Sequence, residues 1–141
     1  MISKFLRKKN ISSIVDVGSG YGRVVNFISS INRIKSHGIE FDEEVHKTAI
    51  KIKKKNVKLY CGDIFNYNIK KFNSKCFILV DPFKKIKDRN KFLSKFKKTF
   101  PKEIKYVIAI NNYKGKFPRE FKLIYSLIGS KTRSLKIFET I

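Results

Sequence analysis

An apolar run that closes on an acid and then on alternating glycines constrains this chain more than any other feature. It reads Ile14-Val15-Asp16-Val17-Gly18-Ser19-Gly20-Tyr21-Gly22-Arg23-Val24-Val25. A strand buried on both faces of a parallel sheet needs such an unbroken apolar run. Glycine turns the backbone sharply without steric cost and lets it approach a ligand closely. Beyond the turn, Val24, Val25, Phe27, Ile28 and Ile31 recur at spacings of three and four, which predicts a helix over residues 22–31 with one buried face. Strand, glycine turn and helix point to an α/β fold whose first helix aims unpaired N–H groups into a crevice beyond the strand. A nucleotide-like ligand is the expectation for that crevice.

The following segments repeat the theme. Residues 36–42 form a second strand ending in Glu40-Phe41-Asp42. Glu40 falls about 20 residues beyond the glycine turn, where nucleotide folds place an acid on ribose hydroxyls. A carboxylate accepts two hydrogen bonds from a vicinal diol, so Glu40 is assigned to the ribose, and Asp42 to capping a helix over residues 43–54. That helix carries Val45, Ala49, Ile50 and Ile52 on its apolar side and His46 on its surface. A third strand lies within residues 56–65 and reaches a turn at Asp63-Ile64. Residues 75–83 are the most apolar strand, hence central, and end in Asp81-Pro82-Phe83. A basic loop over residues 84–89 precedes a lysine-rich helix at 90–98, with Phe92, Leu93 and Phe96 facing inward. A fifth strand at 103–110 leads to a polar loop, and two strands at 121–127 and 134–139 close the chain around a turn at 128–133.

At 141 residues there is room for one domain spanning the whole chain, with residues 1–12 as a basic arm or helix. No apolar run approaches the roughly 18 residues of a membrane span, and the N-terminus lacks the apolar core of a secretory signal. Cys61 and Cys76 sit in apolar strand-like runs and are expected as buried free thiols, so a cytoplasmic location is expected. No histidine, cysteine or carboxylate grouping has metal-ligand spacing. The formal charge of +22 draws phosphate-rich partners. It is carried mostly by lysine, as coding from an AT-rich genome also produces, so charge alone does not choose the partner.

The glycine spacing separates the turn from the dinucleotide fingerprint G-x-G-x-x-G, because Arg23 stands where the third glycine would be. The D-x-G-x-G-x-G of Asp16, Gly18, Gly20 and Gly22 resembles the first motif of class I S-adenosylmethionine-dependent methyltransferases. The acids at the ends of the second, third and fourth strands and the terminal hairpin extend that resemblance over almost the whole chain. It implies a minimal version of the doubly wound, mostly parallel seven-stranded sheet with a C-terminal antiparallel hairpin. It implies S-adenosyl-L-methionine as cofactor, held by Asp16, Gly18, Ser19, Gly20, Tyr21, Gly22, Glu40, Phe41, Asp63 and Ile64. Asp16 would hold the cofactor's ammonium group; Asp63 and the Ile64 N–H would read its adenine.

Asp81-Pro82-Phe83 resembles the fourth motif of amino-methylating members, in the shorter Asn/Asp-Pro-Phe form of small members of the superfamily. The resemblance implies that Asp81, Pro82 and Phe83 orient an acceptor, with an amino nitrogen the leading chemistry and no metal required. Lys84, Lys85, Lys87, Arg89, Lys114 and Lys116 then flank the active face and favour RNA or DNA as substrate. A protein partner supplying recognition, a protein-lysine acceptor, and a non-catalytic nucleic-acid-binding accessory role stand as alternatives.

Overall fold

β1 (Ser13–Val17) is buried along its entire length, as its apolar run demands, and the sheet is assembled around it. The structure, a computed structural model, describes residues 1–111, 115–130 and 133–141. α1 (Ile2–Lys8) precedes β1, and α2 (Arg23–Asn32), β2 (Lys35–Glu40), α3 (Glu43–Ile52) and β3 (Val57–Cys61) follow it. Two 3-10 turns, Ile64–Asn66 and Ile69–Phe72, lead to β4 (Cys76–Val80). Then come α4 (Ile86–Thr99), β5 (Tyr106–Ile110), β6 (Phe121–Ser130) and β7 (Arg133–Thr140). The seven strands are ordered β3-β2-β1-β4-β5-β7-β6. β1 to β5 pair in parallel, and β7 runs antiparallel between β5 and β6. The order reverses between β1 and β4, which places the ligand crevice of such a sheet beyond their C-terminal ends.

Alternation along the strands builds a core on each face. Val15, Val17, Phe77 and Leu79 face the 3-10 turns and α4; Ile14, Ile78 and Ile108 face α1 and α2. On α4, Phe92, Leu93 and Phe96 are fully buried. Each such burial contributes about 1.5–3 kcal/mol, enough to seat a helix whose outer face is crowded with like charges. Among the described residues the β5–β6 connection contains no helix. Phe117 covers that part of the sheet instead, its ring stacked 3.8 Å from Phe138.

Several expectations need correction. On α2 the sheet-facing side is Val25 and Ile28, and the apolar spacing overcounted: Phe27 and Ile31 project outward. α3 ends at Ile52, two residues early, and it buries Ala49 while Ile50 and Ile52 remain exposed. α4 starts at Ile86, so residues 86–89 are its first turn and not a loop. Cys61 is exposed because it ends the edge strand β3 beyond the helical cover; Cys76 is buried as expected. The terminal hairpin is longer than its apolar runs, with Ile128, Ser130 and Arg133 paired in the ladder and register shifts between Leu123 and Tyr125 and between Ile128 and Ser130. Lys131 and Thr132 lie outside the described residues. Among the described residues no helix is long and apolar enough to cross a membrane.

Candidate active site

The glycine turn forms the floor of the crevice. Gly18, Gly20 and Gly22 have φ of +72°, +53° and +75°, a region costly for residues with a Cβ. A Cβ on Gly18 would stand 2.5 Å from the Pro82 Cβ, so the turn after β1 and the turn after β4 are in direct contact. A Cβ on Gly20 would meet nothing within 4 Å, since it faces the open crevice. The Gly18 and Ser19 N–H groups donate to the Ile39 carbonyl at 2.8 and 3.0 Å, tying the turn to the end of β2. Ser19 is buried over Gly38, while Tyr21 and Phe41 are exposed at the rim.

Glu40 organises the neighbouring corner. Its Oε2 accepts from the Gly20 N–H at 2.8 Å and its Oε1 from the Asp42 N–H at 2.9 Å. Its carbonyl accepts from the Gly62 N–H at 2.8 Å, which joins β2 to the turn after β3. Each carboxylate oxygen keeps a further lone pair for a hydroxyl donor. Asp42 caps α3 as expected, accepting from the N–H groups of Glu44 and Val45. Asp63 accepts from the Phe65 N–H at 2.9 Å and so shapes the first 3-10 turn; Ile64 sends its side chain into the core.

Asp16 is the unusual group. It is 1% exposed, and its Oδ1 has no hydrogen-bond partner. Burial, and secondarily the charge of Glu40, push its carboxyl up to about 8. A neutral acid with an orphaned buried oxygen beneath a glycine turn is expensive to maintain in a resting protein, and it fits a cationic group arriving from the crevice.

Asp81 follows β4 in a left-handed conformation, φ +46°, and is exposed at the mouth of the crevice. Phe83 is turned partly inward, its ring 5.5 Å from Phe92 and 6.2 Å from Phe65. Phe65 was not singled out by sequence. It stands two residues after Asp63, with the Lys91 ammonium 4.9 Å from its ring centroid and Lys95 donating to its carbonyl.

Of the basic residues expected along this face, Lys84, Lys85, Lys87 and Lys116 are exposed, and Lys114 lies outside the described residues. Arg89 is 2% exposed and does not belong to the set. In the first turns of α4 it falls on the inward side, donating to the Lys116 carbonyl at 2.8 Å and to Asn90. Its guanidinium also lies 4.8 Å from the Phe117 ring centroid. Arg89→Leu is expected to lose about 1–3 kcal/mol of stability in chemical denaturation, because it strips the Lys116 carbonyl and the Asn90 side chain of their donor.

No protein-family model matches the chain, and no curated protein matches it in sequence. Solved structures do match it in shape. An RNA methyltransferase from Salinibacter ruber, solved with S-adenosyl-L-homocysteine, is 18% identical with a TM-score of 0.73, over 99% of this chain and 89% of that one. A SAM-dependent methyltransferase from Aquifex aeolicus is 16% identical with a TM-score of 0.72, again over 99% and 89%. A TehB-like SAM-dependent methyltransferase from Corynebacterium glutamicum is 12% identical with a TM-score of 0.70, over 99% and 87%. Strand order, terminal hairpin and these likenesses agree: the chain has the class I methyltransferase fold.

Proposed function

We propose that the protein is an S-adenosylmethionine-dependent methyltransferase acting on an amino nitrogen of a nucleic acid. The observation that carries this reading is Asp16, a buried carboxyl with an unpartnered oxygen beneath the glycine turn. It suits the ammonium of the cofactor's methionine end, and Glu40, already oriented by two N–H groups, suits its ribose. Asp63 and the first N–H of its turn suit the adenine edge. When bound, S-adenosylmethionine supplies an electrophilic methyl group.

The protein's part is positioning and exclusion of water. Asp81 accepts a hydrogen bond from the acceptor's N–H, turning the nitrogen lone pair toward the crevice. It then receives the proton that the nitrogen sheds and passes it to solvent, to which it is open. Pro82 keeps that carboxylate at a fixed distance from the glycine turn through its contact with Gly18. The exposed lysines 84, 85, 87 and 116 draw a polyanionic substrate to this face.

Calorimetric titration with S-adenosylmethionine, against NAD as control, tests the cofactor; binding of the first alone is expected. Asp81→Ala should bind the cofactor as wild type does and lose methyl transfer by about 100-fold or more, in the range of general acid–base contributions. Undiminished turnover in Asp81→Ala would remove Asp81 from the site. Cofactor binding without transfer to any RNA or DNA would instead favour the accessory role.

A further inference from the structure

The outward face of α4 is unlike the outward face of α3. On α3, Lys47 is paired with Glu43 and Glu44. On α4, Lys87, Lys91 and Lys98 stand opposite the buried Phe92, Leu93 and Phe96, at spacings of four and seven residues, with Ser94 between them. Spacings of three and four residues stack side chains on one helix face, about 5–6 Å apart along the axis. Among the described residues none of these three lysines is ion-paired. The stripe begins where Lys84 and Lys85 leave the Asp81 turn. It descends past an open concavity of about 450 Å³ lined by Lys91, Ser94, Lys95, Lys98 and Thr99. Beside its upper half lies the half-buried ring of Phe65, with Lys91 over it and Phe83 at 6.2 Å.

We propose that this face is a docking track for single-stranded nucleic acid, with the lysines following the phosphates and Phe65 stacking a base next to Asp81. The proposal rests on the methyltransferase reading for its destination, but its binding is measurable without the cofactor. Lysines in a row recognise any polyanion; an aromatic ring within the row selects a polymer whose bases are free to stack, which a duplex hides.

The test is fluorescence anisotropy with labelled oligo(U) and oligo(dT) on the full chain, titrated in salt. Replacing Lys87, Lys91 and Lys98 with glutamine should weaken both oligomers about tenfold or more at moderate salt. The slope of log K against log salt should flatten by about 2, at roughly 0.7 for each phosphate no longer neutralised. The same change at Lys51, Lys53 and Lys55, exposed at and beyond the end of α3, removes equal charge and should leave the slope unaltered. Phe65→Leu keeps the packing, removes the π face, and should cost about fivefold or more. Equal losses from the two lysine triples, equally tight binding of a duplex, or equal competition by polyglutamate would each overturn the track. Calorimetry of the triple variants with S-adenosylmethionine separates the two readings: a localised track with no cofactor binding sinks the enzyme and leaves the track. A preference for oligo(U) or for oligo(dT) assigns the substrate to RNA or DNA.

Discussion

Asp16→Asn is expected to bind S-adenosylmethionine about 10- to 100-fold more weakly than wild type and to be the more stable protein at pH 8. The loss of affinity is that of one charge-assisted hydrogen bond made in a buried site. The stability gain follows from linkage. The Asp16 carboxyl is raised from 3.8 to about 8 by burial first and by Glu40 second, so the folded state holds a proton that the unfolded chain has released. Stability therefore falls as pH rises from about 4 to about 8, by up to about 1.4 kcal/mol per pH unit, and levels off above 8. Asparagine cannot ionise, and the difference between the two proteins isolates this group from every other titration. The difference in unfolding free energy between variant and wild type should change by about 4 kcal/mol between pH 5 and pH 8. On the proposed role of Asp16, the same proton should give cofactor binding a pH dependence: an ammonium that meets a carboxylate there makes affinity rise with pH toward 8, by up to tenfold per unit. Binding then releases a proton, visible as a heat that changes with the buffer's ionisation enthalpy. A wild-type affinity flat between pH 6 and 7.5 would show that Asp16 does not face the ligand.

The distribution of what was legible in the sequence follows from range. The strand carrying Asp16 has an apolar run that only burial on both faces explains, and the glycines announce φ values no other residue adopts freely. Those signals are local and strong. The cap at Asp42 was equally local. Arg89 was misread because its burial depends on Phe117 and the Lys116 carbonyl, which belong to a connection beyond β5. A charge in a lysine-rich segment carries no local mark of the pocket that will enclose it. The outward turn of Phe27 and Ile31 has the same origin: spacing identifies an apolar stripe, while the width of the facing sheet decides how much of it is covered. Phe65 had no signal of its own. Its exposure beside Lys91 arises from the folding of the short turns onto α4.

Gly18→Ala should be a strongly damaging small substitution, and Gly20→Ala its instructive opposite. Both positions have positive φ, so each alanine is strained by about 1–2 kcal/mol. They differ in what the added methyl meets. At Gly18 it would lie 2.5 Å from the Pro82 Cβ and 3.3 Å from its Cα, and neither atom belongs to a flexible side-chain end. Overpacking of that kind costs about 1–3 kcal/mol more, for a total of about 2–5 kcal/mol in denaturation. Relief requires the Pro82 turn to retreat, and Asp81 retreats with it, so turnover should fall further than cofactor affinity does. At Gly20 the methyl enters open space. That variant should stay folded, within about 2 kcal/mol of wild type, and fail in cofactor binding, because the crevice it invades is the one proposed for the cofactor. The contact can be isolated with Pro82→Gly, which deletes the opposing Cβ. The double variant should recover the overpacking part of the Gly18→Ala loss while the strain of φ remains, a coupling of about 1–3 kcal/mol in the mutant cycle. Additive effects would mean that the turn after β1 and the turn after β4 do not touch, and the glycine turn would then be uncoupled from Asp81.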